Sequence, residues 1–395
     1  MISSFNIASI PHIIFGAGRL NTLYDIIPKY GNEVLLVRGG SSLDRSGKWD
    51  EIVAILEKKA IAFSSISISN EPSPNLIDDN VAKFRNKTPD LIIGIGGGSV
   101  IDAGKAISAM LTKNDSIKNY LEGVGDKLHD GKKIPYIAIP TTSGTGSEAT
   151  KNAVISEIGP KGFKKSLRHD NFIPDIAIID PELIISCPPS VSAACGLDAF
   201  TQLLEAYVSS KSNPITDALA YSGMKYISKS IILACSSGAF DVNIRAKMAY
   251  GSLMSGITLA NAGLGIIHGL ASPIGGLFRI PHGVVCGTLL AEATRINIET
   301  LQSLGSEGKL GLKKHAEIGA LLSGDYHVPD EKIQEYNKKL VETLEKWIID
   351  LEIDRLGKFG INEKDLDKIV NIAGLKNNPV NLSKENIKNI LLNRL

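Results

Sequence analysis

Short β-rich segments alternate with segments of helical periodicity over the first 180 residues, and this alternation constrains the fold most strongly. Five runs are predicted strands: EVLLV (33–37), AFSSISIS (62–69), LIIGI (91–95), YIAIP (136–140) and IAIID (176–180). The intervening segments, such as VIDAGKAISAMLT, have the apolar spacing of amphipathic helices. Because alternating strands and helices form right-handed βαβ units, we expect a mostly parallel sheet with helices on both faces.

The alternation ends near residue 181. After DPELIISCPPSVSAACG only helical periodicity continues, as far as Leu395, and the proline-rich SCPPS is the predicted hinge. The predicted fold class is therefore α/β plus all-α. We expect a nucleotide-binding α/β domain at residues 1–183 and an all-helical domain at residues 184–395.

Charge and hydropathy restrict the partners and the compartment. The 395 residues carry 43 basic and 42 acidic side chains, so the net charge of +1 gives no electrostatic support for binding nucleic acid or an anionic membrane. The N-terminus does not resemble a secretory signal, and we expect no transmembrane helix. The four cysteines form no CxxC pair and indicate buried thiols in a reducing cytoplasm.

A glycine-rich turn follows the third predicted strand, in LIIGIGGGSVIDAGKAI (91–107). Glycines let a backbone approach a pyrophosphate closely, and the N–H groups that begin the next helix can bind it. Gly94 and Gly96 match the first two positions of the GxGxxG dinucleotide fingerprint, but Ser99 stands at the third. A tight strand-to-helix turn without a ligand is the alternative interpretation.

The loop IPTTSGTGSEAT (139–150) follows the next predicted strand and carries several hydroxyl groups around two glycines. Hydroxyls and backbone N–H groups suit contacts with phosphate, ribose and amide groups. The alternative is an ordinary solvated loop. Two such loops at the carboxyl ends of neighbouring strands favour a ligand in the crevice between them.

Asp198 and Gln202 stand four residues apart in GLDAFTQLLEAY, which places both on one face of a helix. An aspartate and a histidine at this spacing would resemble half of a metal site, whereas aspartate and glutamine indicate a weakened site or none. His268, within the apolar LGIIHGLAS, also has the features of a core histidine. His282, between a proline and a glycine, is equally compatible with a simple turn.

Five motifs occur in a fixed order along nearly the whole chain: GGGSVIDAGKA, IPTTSGTGSE, DPEL, CGLDAFTQLLEAY and NAGLGIIHGLASPIGGLFRIPHG. Together they resemble the iron-containing (group III) alcohol dehydrogenases. This resemblance implies a Rossmann-like N-terminal domain and an all-helical C-terminal domain, the architecture shared with dehydroquinate synthases. It also implies a cofactor and a metal in the cleft between them, and NAD(P)-dependent interconversion of an alcohol with an aldehyde or ketone. A homodimer is implied too, with a strand at about residues 5–15 that pairs across subunits.

The resemblance also assigns roles to individual residues. The residues implied to bind the pyrophosphate and nicotinamide side are Gly96, Gly97, Gly98, Ser99 and Asp102, and those implied to line the same cofactor are Thr141, Thr142, Thr145 and Ser147. Lys164 matches a lysine near the cofactor, with Lys165 as an adjacent rival, and Leu183 is expected to pack close to it.

The residues after the first predicted strand indicate which nicotinamide cofactor is used. NAD-preferring members of the family carry an aspartate at the position aligned with Gly39, where a carboxylate binds the ribose 2′-OH and repels a 2′-phosphate. Here Gly39 lacks that carboxylate, and Gly40, Ser41 and Ser42 offer N–H and hydroxyl donors, while Arg38 offers positive charge. We therefore expect NADP(H) to be preferred over NAD(H).

In the family the metal is held by an aspartate, a histidine four residues later and two further histidines. Asp198, His268 and His282 match three of these positions, but Gln202 replaces the first histidine. An amide oxygen binds Fe²⁺ or Zn²⁺ less strongly than imidazole, so we expect a divalent metal of reduced affinity, with a metal-poor enzyme as the alternative. Ser272 replaces another family histidine near the metal and is the expected hydroxyl of a proton relay.

Three alternative functions are compatible with these motifs. A metal-independent reductase resembling the maleylacetate reductases, a cofactor-binding protein that has lost catalysis, and a carbon–oxygen lyase resembling the dehydroquinate synthases are the alternatives. No cation stands out as an anchor for an anionic substrate, except for Arg279 before IPHG. We therefore expect small uncharged alcohols or aldehydes as substrates.

Overall fold

The computed structural model describes residues 4–40 and 42–395. Its strands are β1 (His12–Phe15), β2 (Glu33–Gly39), β3 (Ala62–Ile68), β4 (Leu91–Gly96), β5 (Tyr136–Pro140), β6 (Asn152–Glu157), β7 (Phe163–Arg168) and β8 (Ile176–Ile179). The helices of the first half are α1 (Leu23–Ile26), α2 (Ser42–Arg45), α3 (Lys48–Lys58), α4 (Pro74–Phe84) and α5 (Gly98–Met110). Those of the second half are α6 (Pro189–Val208), α7 (Pro214–Ser228), α8 (Ile231–Ala234), α9 (Val242–Ala262), α10 (Ile266–Leu277), α11 (His282–Ser303), α12 (Lys309–Ser323), α13 (Ile333–Asp350), α14 (Glu363–Ile372) and α15 (Lys384–Leu392).

Six strands form one parallel sheet in the order β1-β8-β5-β4-β2-β3. All five predicted strands belong to it, so the predicted βαβ arrangement is confirmed. From β2 the chain continues to β3 at one edge of the sheet, whereas from β4 it continues to β5 in the opposite direction. The strand order therefore reverses between β2 and β4, and a doubly wound sheet binds its ligands at the carboxyl ends of such strands, here with β5 next to β4.

Apolar side chains of the sheet alternate between two cores. Leu35 and Val37 of β2 pack on the face covered by α4 and α5, whereas Val34 and Leu36 pack on the face covered by α1 and α3. Strands buried on both faces have nearly continuous apolar sequences, which is why these runs were recognisable in the sequence.

The hairpin β6–β7 was not predicted. Its strands pair antiparallel, with Asn152 opposite Arg168 and Glu157 opposite Phe163. A Cβ added at Gly276 of α10 would lie 2.9 Å from the Phe163 backbone, so the hairpin packs closely on the helical half. It therefore carries residues of the first half, including Lys164, to the boundary between the two halves.

The second half of the described chain contains only helices, as predicted. Helix α6 is buried along nearly its whole length and packs against α7, α9 and α11, which is expected of a helix that is apolar on all sides. In the described part of the chain, no single helix has both the length and the hydropathy to cross a membrane. The pair α9 and α10 meets both criteria together, but the two helices are bent by 99° where they join.

Two predicted elements differ from the structure. The segment LNTLYDIIPKYG forms short turns around α1 rather than one helix, because Pro28 lacks the N–H that a continuous helix needs. The expected N-terminal strand is shorter than residues 5–15. It spans His12–Phe15 and pairs with β8 of the same chain at the edge of the sheet.

Candidate active site

The glycine turn joins β4 to α5 at the carboxyl edge of the sheet. Gly97, Gly98 and Ser99 are half-buried, whereas the strand that leads to them is buried. A Cβ added at Gly98 would lie 2.7 Å from the Thr145 side chain, so the turn accepts only a glycine at this position without a shift. The free N–H groups at the start of α5 lie at this turn.

The second hydroxyl-rich loop lies against the glycine turn. Thr141 N donates a hydrogen bond of 2.9 Å to Gly96 O, which joins the two segments directly. Thr142 and Thr145 are half-buried, whereas Thr141 and Ser147 are buried. Thr142 and Thr145 are therefore the loop hydroxyls that remain accessible beside the turn.

Asp102 and Lys105 of α5 form a buried network beneath this loop. Asp102 accepts hydrogen bonds from the Ser147 hydroxyl and from Val154 N, so both of its oxygens are used within the protein. Lys105 Nζ donates hydrogen bonds to the backbone carbonyls of Ser147 (2.8 Å), Thr150 (2.9 Å) and Asn152 (2.8 Å). Burial lowers the pKa of Lys105 to about 8, while Asp102 opposes this shift. The network fixes the loop rather than presenting Asp102 to a ligand.

The residues expected to contact the cofactor ribose lie at the carboxyl end of β2. Gly39 ends the strand, and Gly40 and Ser42 follow, whereas Ser41 lies outside the described residues. The Arg38 guanidinium is 2.7 Å from the Asp44 carboxylate and stacks 4.4 Å from the centre of the Trp49 ring. A positive charge is thus held next to Gly39.

Lys164 and its rival Lys165 face opposite ways on β7. Lys164 Nζ lies 2.5 Å from the Glu71 carboxylate, and its chain passes Gly275 of α10. Lys165 is exposed. Leu183 is buried in the core on the α1 and α3 face of the sheet, where it packs as a core residue.

Four potential ligand atoms come together between α6, α10 and α11. They belong to Asp198, His268, His282 and Cys286, and all lie within 4.8 Å of one another. Asp198 Oδ1 is 3.3 Å from His268 Nε2 and 3.7 Å from His282 Nε2. The structure therefore brings together the aspartate and both histidines that the sequence singled out.

The ionisable groups of this cluster shift one another's pKa values. Although burial opposes ionisation, the neighbouring histidines lower the pKa of Asp198 to about 2. Burial lowers the pKa of His282 to about 4. His268 differs: burial opposes its charge, but Cys286, Glu205 and Asp198 raise its pKa well above the ordinary value, so without a metal His268 carries the positive charge beside Asp198. Burial also raises the pKa of the Cys286 thiol to about 12 in the absence of a cation.

Glu205 orients His268 and was not identified from the sequence. Its Oε2 lies 2.7 Å from His268 Nδ1, and its Oε1 accepts a hydrogen bond of 2.7 Å from Ile267 N. A carboxylate on one ring nitrogen fixes the imidazole and leaves the other nitrogen, Nε2, directed at the cluster. The available signal was the position of Glu205, seven residues after Asp198 on the same helix face.

Gln202 and Ser272 have partners outside the cluster. Gln202 Nε2 donates to Asp198 Oδ2 at 3.2 Å, and its amide oxygen accepts from the Ser255 hydroxyl at 3.0 Å. This arrangement differs from the expected one, in which the amide oxygen joins the ligand atoms. The Ser272 hydroxyl donates to His268 O at 3.2 Å.

The hydroxyl-rich loop touches both halves of the molecule. At Gly98 it meets the glycine turn through Thr145, and at Gly144 an added Cβ would lie 2.9 Å from Cys195, which precedes Asp198 by one turn of α6. A Cβ added at Gly146 would lie only 2.4 Å from the backbone nitrogen of Gly256 in α9. The glycine turn and the ligand cluster therefore lie on opposite sides of one loop, at the boundary between the halves.

Comparison with known proteins agrees with this arrangement. Residues 11–181 match the family model described as iron-containing alcohol dehydrogenase, and residues 192–395 match the model of that family's C-terminal domain. The chain is 34% identical to long-chain-alcohol dehydrogenase 1 of Geobacillus thermodenitrificans, over 92% of this chain and 90% of the relative. It is 29% identical to the NADPH-dependent butanol dehydrogenase of Clostridium saccharobutylicum, over 96% and 95% of the two chains.

A solved structure with the same fold is that of an archaeal halo-thermophilic alcohol dehydrogenase from a Red Sea brine pool. It superposes with a TM-score of 0.89 at 25% identity and covers 100% of this chain and 99% of its own. The family models, the relatives and the shared fold all indicate the family that the glycine turn and the ligand cluster also indicate. The chain therefore belongs to the iron-containing alcohol dehydrogenase family, as an oxidoreductase that acts on alcohols with NAD(P) as cofactor.

Proposed function

We propose that the enzyme interconverts small uncharged alcohols and aldehydes, prefers NADP(H) over NAD(H), and holds a divalent metal at Asp198, His268 and His282. The observation that carries this proposal is the single loop that contacts both the glycine turn and the helix bearing Asp198. A cofactor on the turn and a substrate oxygen at the cluster would then be neighbours. Purified enzyme assayed with NADPH and NADH on a panel of small aldehydes tests it, and turnover with neither cofactor contradicts it.

The ligand cluster has the chemistry that a divalent ion requires. Asp198 Oδ1 is buried and makes no hydrogen bond within residues 4–40 and 42–395, so it retains a lone pair for a cation. When bound, the metal supplies a Lewis acid that stabilises an alkoxide or polarises a carbonyl. Asp198 contributes negative charge, His282 a neutral nitrogen, and Glu205 holds His268 in the orientation that binds.

The glycine turn has the chemistry that a dinucleotide requires. When bound, the nicotinamide accepts or delivers the hydride, and the protein contributes position and field. The N–H groups of Gly98 and Ser99 at the start of α5 would bind the pyrophosphate, and Thr142 and Thr145 would donate hydroxyls beside it. Asp102 and Lys105 would act indirectly, because they fix the loop that carries Thr145.

Gly98→Ala should weaken cofactor binding. The new Cβ would lie 2.7 Å from Thr145, so the turn or the loop must shift at a cost of about 1–3 kcal/mol, which is a loss of affinity of about 5- to 150-fold. Cofactor titration followed by nicotinamide fluorescence measures this. Gly97→Ala is the matched control, because its Cβ would meet Thr142 only at 3.4 Å and should weaken binding less. Equal affinities for both variants and the parent would contradict the proposed role of the turn.

The preference for NADP(H) is supported by the absence of a carboxylate at the carboxyl end of β2, where Gly39 leaves the ribose 2′ position free of one. Arg38 stands next to Gly39, and its guanidinium stacks on Trp49. Because Arg38 Nη1 donates to both oxygens of Asp44, a 2′-phosphate would compete with that carboxylate for the guanidinium. The similar butanol dehydrogenase is NADPH-dependent by name, which agrees with this preference.

Gly39→Asp should reverse the cofactor preference. A Cβ at this position would meet only Ser42 Oγ at 3.7 Å and Val100 Cγ2 at 3.9 Å, so the substitution changes charge without crowding. The new carboxylate would repel a 2′-phosphate and accept a hydrogen bond from a 2′-OH. We expect kcat/KM for NADPH to fall at least about tenfold, or 1.4 kcal/mol, while that for NADH is kept or rises.

Gly39→Asn separates charge from size in this test, because asparagine has the shape of aspartate without its charge. It should lose less NADPH activity than Gly39→Asp. If both variants lose NADPH and NADH activity equally, the site does not distinguish the 2′ position.

An uncharged substrate is supported by the state of Lys164, a cation close to His282. Lys164 lies close enough to His282 to help lower the pKa of that ring, and its ammonium is already paired with Glu71. Glu71 Oε2 also accepts from the Ser156 hydroxyl at 2.6 Å, so the pair is held in place. An anionic substrate would have to displace this carboxylate to reach the lysine.

We also propose a domain boundary at residues 183/184, a homodimer and a cytoplasmic location. The boundary is supported by the end of the parallel sheet at Ile179 and the start of α6 at Pro189. The dimer is supported by the edge position of β1 and by the exposed Phe5, Ile7 and Ile10 that precede it. The four unpaired cysteines agree with a reducing compartment. Light scattering of the purified protein tests the dimer.

A further inference from the structure

Cys286 lies in the ligand cluster, although no sequence motif predicted it as a ligand. Its Sγ is 3.6 Å from His268 Nε2 and 3.7 Å from His282 Nε2. His282 and Cys286 both belong to α11, four residues apart, so their side chains share one face of that helix. The thiol is fully buried and is directed at the two histidines.

A second observation at the same place is independent of the cysteine. Asp198 is only 2% exposed, and its Oδ1 has no well-aligned hydrogen-bond donor among the described residues, although His268 Nε2 lies 3.3 Å away. A buried carboxylate oxygen without a donor is costly unless something else binds it. Because this oxygen is 3.3 Å from the His268 ring nitrogen that also faces Cys286, the unpaired acceptor is directed into the cluster.

Gln202 does not complete this cluster. Asp198 Oδ2 can only accept hydrogen bonds, so the Gln202 group that faces it must be the NH₂. The amide oxygen is then left on the side of Ser255, 3.0 Å from its hydroxyl. The atoms that remain for a cation are one carboxylate oxygen, two imidazole nitrogens and one sulfur.

We propose that the Cys286 thiolate is the fourth protein ligand of the metal, in the role that the missing histidine would have had. This inference rests on the proposed function, because it concerns the same cluster. Cys286 would hold the ion as a thiolate, so metal binding would release the thiol proton to the solvent. Asp198 and the thiolate would together balance the two charges of the cation.

A thiolate changes which metal the site favours. Thiolate is a soft ligand that selects Zn²⁺, whereas an all-imidazole and carboxylate shell accepts Fe²⁺ readily. The oxygen, two nitrogens and sulfur offered here match the ligand types of zinc sites. We therefore expect this chain to retain Zn²⁺ in preference to Fe²⁺ when both are offered in equal amounts.

Cobalt substitution tests the sulfur directly, without relying on activity. The full-length protein is freed of metal by dialysis against a chelator and titrated with Co²⁺. The expected result is a thiolate-to-cobalt charge-transfer band in the near ultraviolet that saturates at one Co²⁺ per chain. X-ray absorption of the Zn²⁺ form should show one sulfur at about 2.3 Å.

Three variants define the source of the band. Cys286→Ser should abolish it and weaken Co²⁺ binding more than about tenfold, since changes even in groups behind the ligands commonly cost 10–100-fold. Cys235→Ser, which alters a cysteine outside the cluster, should keep the full band. Gln202→Ala should also keep it, because the amide is not a ligand in this arrangement.

The outcomes separate this inference from the proposed function. If Co²⁺ binds and supports alcohol oxidation but no sulfur band appears, Cys286 is not a ligand, while the proposed function stands. If a band appears and survives in Cys286→Ser, the sulfur comes from elsewhere and the inference is overturned. If the parent protein binds no Co²⁺ at all, both the inference and the proposed metal site fail.

Discussion

Replacing Asp198 with asparagine should remove nearly all alcohol oxidation and most of the bound metal. The substitution keeps the size of the side chain but deletes the one buried carboxylate oxygen that is directed at both histidines. Without that charge the cation loses a ligand, and the substrate oxygen loses the stabilisation that a Lewis acid provides, which amounts to several kcal/mol. We expect kcat to fall about 10³-fold or more, equivalent to about 4 kcal/mol.

Steady-state kinetics and metal analysis of the same preparation measure both effects. Asp354→Asn is the control, because it removes a carboxylate of the same domain whose ion pair with Lys358 lies at the surface. That variant should keep its activity and its metal. An Asp198→Asn enzyme with parental kcat would show that the cluster is not where the substrate oxygen is activated.

Replacing Lys105 with methionine should have the largest effect on stability. The ammonium donates to the backbone carbonyls of Ser147, Thr150 and Asn152, and methionine would leave all three without this donor. It would also leave Asp102 buried without its cation, 3.9 Å away in the native protein. Removing one partner of a buried charge pair costs about 3–5 kcal/mol. We expect the free energy of unfolding to fall by that amount.

The Lys105→Met protein should also bind its cofactor less tightly, because the loop that Lys105 holds in place carries Thr145. Urea unfolding and cofactor titration measure the two effects. Lys368→Met is the matched control, since Lys368 donates to a single carbonyl, that of Pro160, at the surface. It should change stability by no more than about 0.5 kcal/mol. A Lys105→Met protein that is as stable as this control would contradict the role assigned to the network.

The sheet was predictable because its strands are buried on both faces. LIIGI and YIAIP are nearly continuous apolar runs bounded by glycine and proline, and the fold of a parallel sheet leaves few alternatives for such runs. The family motifs then confirmed the architecture of both halves. By contrast, FKKSLR of β7 is polar and mostly half-buried or exposed, and its strand character comes from pairing with β6.

The site was only partly predictable for a similar reason. Asp198, His268 and His282 could be selected because each lies in a recognisable motif. Glu205 and Cys286 share a helix face with Asp198 and His282, respectively, but this spacing alone does not show that α6, α10 and α11 bring them to His268. The partners of Asp102 were not predictable either: its place after the glycines predicts a cofactor contact, and within the protein its oxygens accept hydrogen bonds from Ser147 and Val154.

The central claim is that a cofactor on the glycine turn and a divalent metal at Asp198, His268 and His282 act on one substrate. Its most direct test is to remove all metal from the full-length enzyme, restore Zn²⁺ or Fe²⁺ in steps, and follow the absorbance of reduced nicotinamide with alcohol and NADP⁺. We predict no absorbance change without metal, and a rate that rises with bound metal until one ion per chain is present. An undiminished rate in the metal-free enzyme would contradict the account and favour a metal-independent reductase.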